Sequence, residues 1–160
     1  MPSNAPVAWG RVAAQALAAG LVAGLLFDSY VWLTVVLPAH SSMIVLWQFA
    51  ASTLVGKGAF ADPSFAILGV AIHAVVSVAW AGAYAYIAAR QPVLNTRWYA
   101  SGLVYGIVVE IVMQLILVAG NAFQPPPTPN AFFNGVIAHA VFFGLPLAFI
   151  VRTLDARRAA

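Results

Sequence analysis

Apolar residues fill four long runs of this chain, at about 7–37, 64–89, 96–119 and 131–151, and polar positions interrupt each run only rarely. A run of roughly 20 apolar residues crosses a hydrocarbon core of about 30 Å as an α-helix, so the pattern predicts four membrane spans. The first run exceeds that thickness and must tilt, bend or protrude. Asp62-Pro63 predicts the start of the second span, an Asp cap followed by Pro at the first helical position. Asn95 is the expected cap of the third span and Gly120 its stop, and Asn130 is expected to open the fourth. Before it, Gln124-Pro125-Pro126-Pro127-Thr128-Pro129 cannot continue a helix and reads as a stiff extended loop.

A fifth apolar run at 43–55 carries Trp47 and Phe49 and breaks at Gly56-Lys57-Gly58. At about 13 residues it is too short to span, and it reads as an interfacial or re-entrant helix capping the bundle. The expected fold is therefore an all-α membrane protein. It is a four-transmembrane-helix bundle with one additional interfacial or re-entrant helix between spans one and two, in a single transmembrane domain over residues 1–160.

Small and polar residues recur within the runs at helical spacing. Ala16, Gly20, Gly24 and Asp28 form one stripe in span one, and Gly102, Gly106, Glu110 and Gln114 form another in span three. Both contain a G-x-x-x-G, which lets helix backbones approach closely in lipid. His73, Ser77, Trp80 and Tyr84 share a face of span two; Gly135, His139 and Phe143 share one of span four, with Pro146 expected to kink or loosen the helix beyond them. These stripes are expected to face the bundle interior. Trp32, Trp47, Phe132 and Phe133 near one end, and Trp98 near the other, fit interfacial aromatic belts.

Composition supports the membrane reading: 63% of residues are hydrophobic and 7% charged, against about 25% charged in soluble domains, and the mean hydropathy is +0.93. The net charge of +3 is too sparse to suggest nucleic acid, and the absence of cysteine excludes disulfides, thiolate metal sites and cysteine nucleophiles. Residues 1–9 carry no Lys or Arg and no small-residue cleavage region follows the first run, so that run is read as a retained span. The cations report orientation. Arg11, Arg90, Arg97, Arg152, Arg157 and Arg158 fall on one side and Lys57 alone on the other, so both termini are expected in the cytoplasm.

Asp28, His73, Glu110 and His139 fall one per span. At about 1.5 Å rise per residue each lies roughly 12–14 Å below the outer surface. An ionisable group in hydrocarbon costs roughly 2.5–3.5 kcal/mol on insertion scales, so this level is the candidate site for protons or a small polar ligand, with Gln114 beside it. Glu110 also has a purely structural reading, protonated and hydrogen-bonded to His73, His139 or Gln114. Two carboxylates and two imidazoles are the ingredients of a divalent-metal site, with His73, His139 and Glu110 as candidate ligands, although no Glu-x-x-His pair is present. His73 and His139 could alternatively ligate a haem. No nucleophile elbow, phosphate loop or zinc-protease signature occurs, so no enzyme and no resident cofactor is expected. A contrasting expectation is an accessory subunit or homo-oligomer in a larger membrane complex, its polar residues merely satisfying one another.

From His73 onward the chain resembles the YagU-like family of small bacterial inner-membrane proteins. The resembling features are His73, Ser77 and Tyr84, then Trp98 and Gly102, the prolines Pro125-Pro126, Ala138-His139, and the basic tail from Arg152 to Arg158. In the first half, a glycine-rich first span and a long outer connection are shared. The resemblance implies a multi-span protein of the bacterial inner membrane, without an assigned biochemical activity, in a family linked to acid tolerance.

Overall fold

A computed structural model describes residues 7–119 and 128–156 of the chain. The expected stop at Gly120, the prolines 125–127 and the cations Arg157 and Arg158 lie outside the described residues. All regular structure among the described residues is helical. Helix α1 (Trp9–Val31) runs into a π-helical segment, Trp32–Val36. Helix α2 (Met43–Val55) continues as a 3₁₀ segment, Gly56–Phe60. Then come α3 (Phe65–Arg90), the one-turn α4 (Val93–Thr96) and α5 (Trp98–Ala119). The last run comprises α6 (Pro129–Ile137), a π segment (Ala138–Gly144) and α7 (Leu145–Ala156).

Five of these helical runs are long and apolar enough to cross a membrane: Trp9–Val36, Met43–Phe60, Phe65–Arg90, Trp98–Ala119 and Pro129–Ala156. The second corrects the sequence reading of 43–55 as too short. Its α-helix ends where expected, but Gly56, at φ 62°, turns the chain into a further 3₁₀ turn instead of a loop.

Helix boundaries differ from expectation where a proline or a better acceptor stands nearby. Asp62 turns the chain toward α3, its carboxylate accepting the Ser64 N–H at 2.8 Å. Ser64 holds the cap position, however, and the helix begins at Phe65, so Pro63 precedes it rather than opening it. Hydrogen bonds from Ser64, backbone first, hold the Asp62 pKa below the usual carboxylate value. Asn95 does not cap the third span. Pro92 starts α4, Arg97 breaks it with φ −108° and ψ 40°, and α5 begins afresh at Trp98. Asn95 Nδ2 instead donates to Asp155 Oδ2 at 2.7 Å. Thr128, not Asn130, caps α6: its hydroxyl accepts the Ala131 N–H at 3.2 Å and Pro129 takes the first helical position, where its missing N–H costs nothing.

Pro146 acts on the turn before it. A proline supplies no N–H and its ring crowds the carbonyl four residues back, so the ladder shifts to the wider i→i+5 register over Ala138–Gly144. The loosening therefore includes His139 and does not lie beyond it. Pro38 stands in the same relation to Trp32–Val36, where Leu37 N–H reaches Trp32 O at 2.9 Å.

Residue size is inverted relative to a soluble bundle. The interior is built from small side chains, with Ala19, Ala23, Ala81 and Ala148 fully buried. Large aliphatics point out: Leu25, Ile67 and Val118 are 67%, 75% and 79% exposed. In water such a surface would be untenable, and in lipid it is the outer face of a bundle held by close packing of small residues.

The four long helices α1, α3, α5 and α6–α7 pair antiparallel. Along α1, Trp9 stacks on Tyr86, Gly20 sits on Val78 and Asp28 meets His73, all of α3 in descending order. Along α5, Gly102 abuts Gly144, Gly106 abuts His139 and Ala140, and Glu110 meets Gly135. Between α1 and α7, Gln15 Nε2 donates to Val151 O at 3.1 Å, and Tyr30 at the far end donates to Asn134 Oδ1 at 2.6 Å. The striped glycines Gly20, Gly24, Gly102 and Gly106 thus lie at helix crossings. A Cβ at Gly20 would stand 2.6 Å from Val78 Cα, and one at Gly106 would overlap the His139 carbonyl.

Helix α2 leans on the first turns of α3, where Gly69 lies against the Trp47 carbonyl. Gln48 Nε2 donates to Ala59 O and Asp62 O, fastening α2 to the turn that leads into α3. At the opposite end of the bundle Asp155 gathers Gln15 (2.8 Å), Asn95 (2.7 Å) and Arg11 (3.7 Å), tying α1, α4 and α7 together.

Substituting these crossing glycines tests the packing. Gly106→Ala and Gly69→Ala should each lower stability by about 1–3 kcal/mol, because main-chain atoms block the new methyl. Gly10→Ala, with open space around it, should be neutral or raise stability by up to about 1 kcal/mol. Thermal unfolding in detergent micelles distinguishes the two classes.

Candidate functional site

The four intramembrane ionisable residues come together as two separate pairs. His139 Nδ1 lies 2.7 Å from Glu110 Oε2 and 3.1 Å from Gly135 O, so a proton on Nδ1 is shared between two acceptors. Gln114 Nε2 donates to the other carboxyl oxygen, Oε1, at 2.8 Å. Both oxygens of Glu110, which is only 2% exposed, are thereby engaged. Of the three partners expected for it, His139 and Gln114 are present and His73 is not. His73 Nε2 faces Asp28 Oδ1 at 3.1 Å. That contact is close without being a well-formed hydrogen bond, since Asp28 Oδ1 is buried and makes none.

Local packing makes room for each pair. Gly135 lies directly over the Glu110 carboxyl, where any Cβ would collide with it. A Cβ at Gly24 would stand 3.0 Å from Ser77 Oγ and 3.4 Å from His73 Nε2. The π register around His139 comes from Pro146, so a proline seven residues further on helps set the imidazole against Glu110.

Phe27 separates the two pairs. Its ring centroid lies 4.5 Å from that of His139 and 5.8 Å from that of His73. Sequence reasoning passed over Phe27 as one apolar residue among many. Trp47 was read as part of an interfacial belt; it instead reaches inward, 5.4 Å from the His73 ring, because Gly69 lets α2 approach α3 closely. Trp98 packs on Phe149 and Arg152, while Trp32 and Phe133 are exposed, as a belt requires.

No family model, no curated protein and no solved structure matches this chain. The site must be interpreted from its own geometry.

Both pairs open on one cavity of about 400 Å³, within the range of small-molecule pockets. Its polar lining is Asp28, Thr53, His73, Ser77, Glu110, Gln114 and His139; aromatic and aliphatic side chains, among them Phe27, Trp47, Trp80, Met113 and Phe143, form the rest. Helices α3 and α5 do not pack backbone to backbone beside it. They meet through long side chains nearer the Asp155 end, where Tyr105 donates to Trp80 O at 2.6 Å and Tyr84 bonds Ser101 at 2.7 Å.

The metal and haem alternatives fit this geometry poorly. Among the described residues no three of His, Asp and Glu converge as a metal-holding group. For haem, the Phe27 ring stands between His73 and His139, and each imidazole already turns a nitrogen toward a carboxylate. Ser77, His73 and Asp28 have the composition of a hydrolytic triad, and Ser77 Oγ is 3.4 Å from His73. Ser77 and Asp28 both approach Nε2, however, whereas a relay needs hydroxyl and carboxylate on opposite ring nitrogens.

The two carboxylates should respond unequally to mutation. Glu110→Leu strands the Gln114 amide and half-satisfies His139, and should cost about 1–3 kcal/mol. Asp28→Asn forfeits no well-formed hydrogen bond and should cost less than about 1 kcal/mol. Parallel melts in one detergent decide it; an equal loss in both variants would make Asp28 as structural as Glu110.

Proposed function

We propose that this chain is a polytopic, non-catalytic membrane protein that holds a small molecule in the cavity between its two histidine–carboxylate pairs. One observation carries the reading: two His–carboxylate contacts, one with its carboxylate buried and one half-buried, on four different helices line the same apolar-walled space. Buried ionisable groups in a membrane persist where they serve a ligand or proton, and here one carboxylate oxygen remains without a donor. The small residues face inward and the outer face is broadly aliphatic, which favours a ligand-holding bundle over an accessory subunit that would present its small residues to a partner. The shared Nε2 of the Ser77–His73–Asp28 group argues against hydrolysis.

Four crossings form part of this proposal. Because α1 and α3 run antiparallel, the segment joining them must leave and return at one surface, and α2 then dips beside the cavity without crossing. With Arg11, Arg90, Arg97 and Arg152 at the other surface and Lys57 at this one, both termini lie in the cytoplasm. Placement in a bacterial inner membrane, and kinship with YagU-like proteins, rest on the residues from His73 to Arg158 that resemble that family.

Two experiments test this reading. The chain has no cysteine, so single cysteines can be placed freely: Ser41→Cys and Ala61→Cys should label from one side of a sealed vesicle, and Gln91→Cys from the other. Labelling of Ser41→Cys and Ala61→Cys from opposite sides would make α2 a fifth crossing. For the cavity, calorimetric titration of the detergent-purified chain with phenyl-bearing amine, alcohol and carboxylic-acid probes of equal size should give saturable binding of at least one. Ala50→Trp, which fills the cavity from α2, should abolish it.

A further inference from the structure

We infer that the cavity is built for a lipophilic ammonium, a protonated amine on an apolar body, with Asp28 as its counter-ion. This rests on the reading of the cavity as a ligand site and goes on to the charge of what it holds. The charge inventory comes first. Four ionisable side chains line the space, Asp28, Glu110, His73 and His139, and among the described residues no Lys or Arg does. An anionic ligand would meet two carboxyl groups in a low-dielectric setting with no fixed cation, which is strongly unfavourable.

The hydrogen-bond inventory then separates a donor ligand from an acceptor. Glu110 has no oxygen to spare, since Gln114 and His139 take both. Asp28 does: Oδ1 is closed off against His73 Nε2 without a hydrogen bond, and the side chain stays 15% exposed where it lines the cavity. A carbonyl or ether ligand offers only further acceptors. An ammonium offers up to three N–H donors and a positive charge, the two things a carboxylate oxygen without a donor needs.

Aromatic rings complete the setting around that oxygen. Phe27 precedes Asp28 in the chain and stacks near His73, and Trp47 approaches His73 from α2. Indole and phenyl faces attract a cation within about 6 Å of their centroids, Trp most strongly. A bare metal ion would find no third His, Asp or Glu in the described residues and would be poorly solvated by these walls. The ligand's body must be apolar for a separate reason. The cavity's wall between Asp28 and the far end is aliphatic, with Val76 of α3 and Met113 and Leu117 of α5 among its lining.

The test uses the full chain in detergent at neutral pH and three matched probes: 2-phenylethylammonium, 2-phenylethanol and 3-phenylpropanoate. The ammonium should bind about tenfold or more tighter than the alcohol, and the carboxylate least tightly. Asp28→Asn should erase the ammonium preference and leave alcohol binding in place, while Asp62→Asn, outside the cavity, should leave the preference intact. The comparison among probes in the unaltered chain holds even if Asp28→Asn proves unstable. Alcohol or carboxylate binding as tight as ammonium overturns the inference and leaves the cavity reading standing. Ammonium binding that survives both Asp28→Asn and Ala50→Trp overturns it too, by placing the cation elsewhere. Absence of saturable binding by all three probes overturns the inference and the cavity reading together.

Discussion

Lipid gives apolar helices no hydrophobic reason to associate, so this bundle depends on how closely its backbones approach. The closest helix crossings run through glycine: Gly20 on Val78, Gly69 on Trp47, Gly102 on Gly144, and Gly106 on His139. Close approach brings many weak dispersion contacts into range. It also fixes the depth at which one helix's polar side chain meets another's. Asp28 is one helical turn beyond Gly24, and Glu110 one turn beyond Gly106, so the stripes that bring helices together also carry the carboxylates to their partners.

The same close packing explains why two pairs form instead of one four-residue cluster. Helices α1 and α3 form one tight unit, and α5 with α6–α7 the other. Each unit contains one carboxylate and one histidine, which meet locally, Glu110 fully engaged by His139 and Gln114 and Asp28 only close to His73. The junction between units is looser on the side where α3 faces α5: Phe27 lies there beside the histidines, and Tyr84, Trp80 and Tyr105 bridge α3 and α5 toward the Asp155 end. Where no side chain long enough bridges α3 and α5, the space remains as the cavity, with α2 as its side wall.

Prolines shape this arrangement at a distance. Pro38 and Pro146 each follow a π-helical segment by one residue, and the second segment contains His139. A π turn rotates the residues it holds relative to an ideal α-helix, so face assignments drawn at a strict 3.6-residue period lose accuracy there. The ends of the bundle are secured differently. Asp155, Gln15 and Asn95 form a polar clamp at one end, and Tyr30, Asn134 and Thr34 a lighter one at the other.

Much of the architecture was legible in the order of residues. Long, continuous apolar runs in a bilayer are helices, because lipid demands an internally satisfied backbone and barrel strands are shorter and alternate in polarity. Small-residue stripes at four-residue spacing marked the interior faces before any partner was known, and the bounds of Met43–Val55 followed from a polar residue before it and a glycine after it. Pairing was not legible. Nothing in the chain order assigns Glu110 to His139 and Asp28 to His73, since each stands a similar number of residues from one end of its apolar run and the choice depends on which helices are neighbours. Asp155 gave no sign of gathering Gln15 and Asn95, and Phe27 and Trp47 looked like ordinary membrane aromatics. Periodicity determines which side of a helix faces protein; only the antiparallel packing of particular helices decides which side chain it meets there, because that meeting requires backbones from distant parts of the chain to touch.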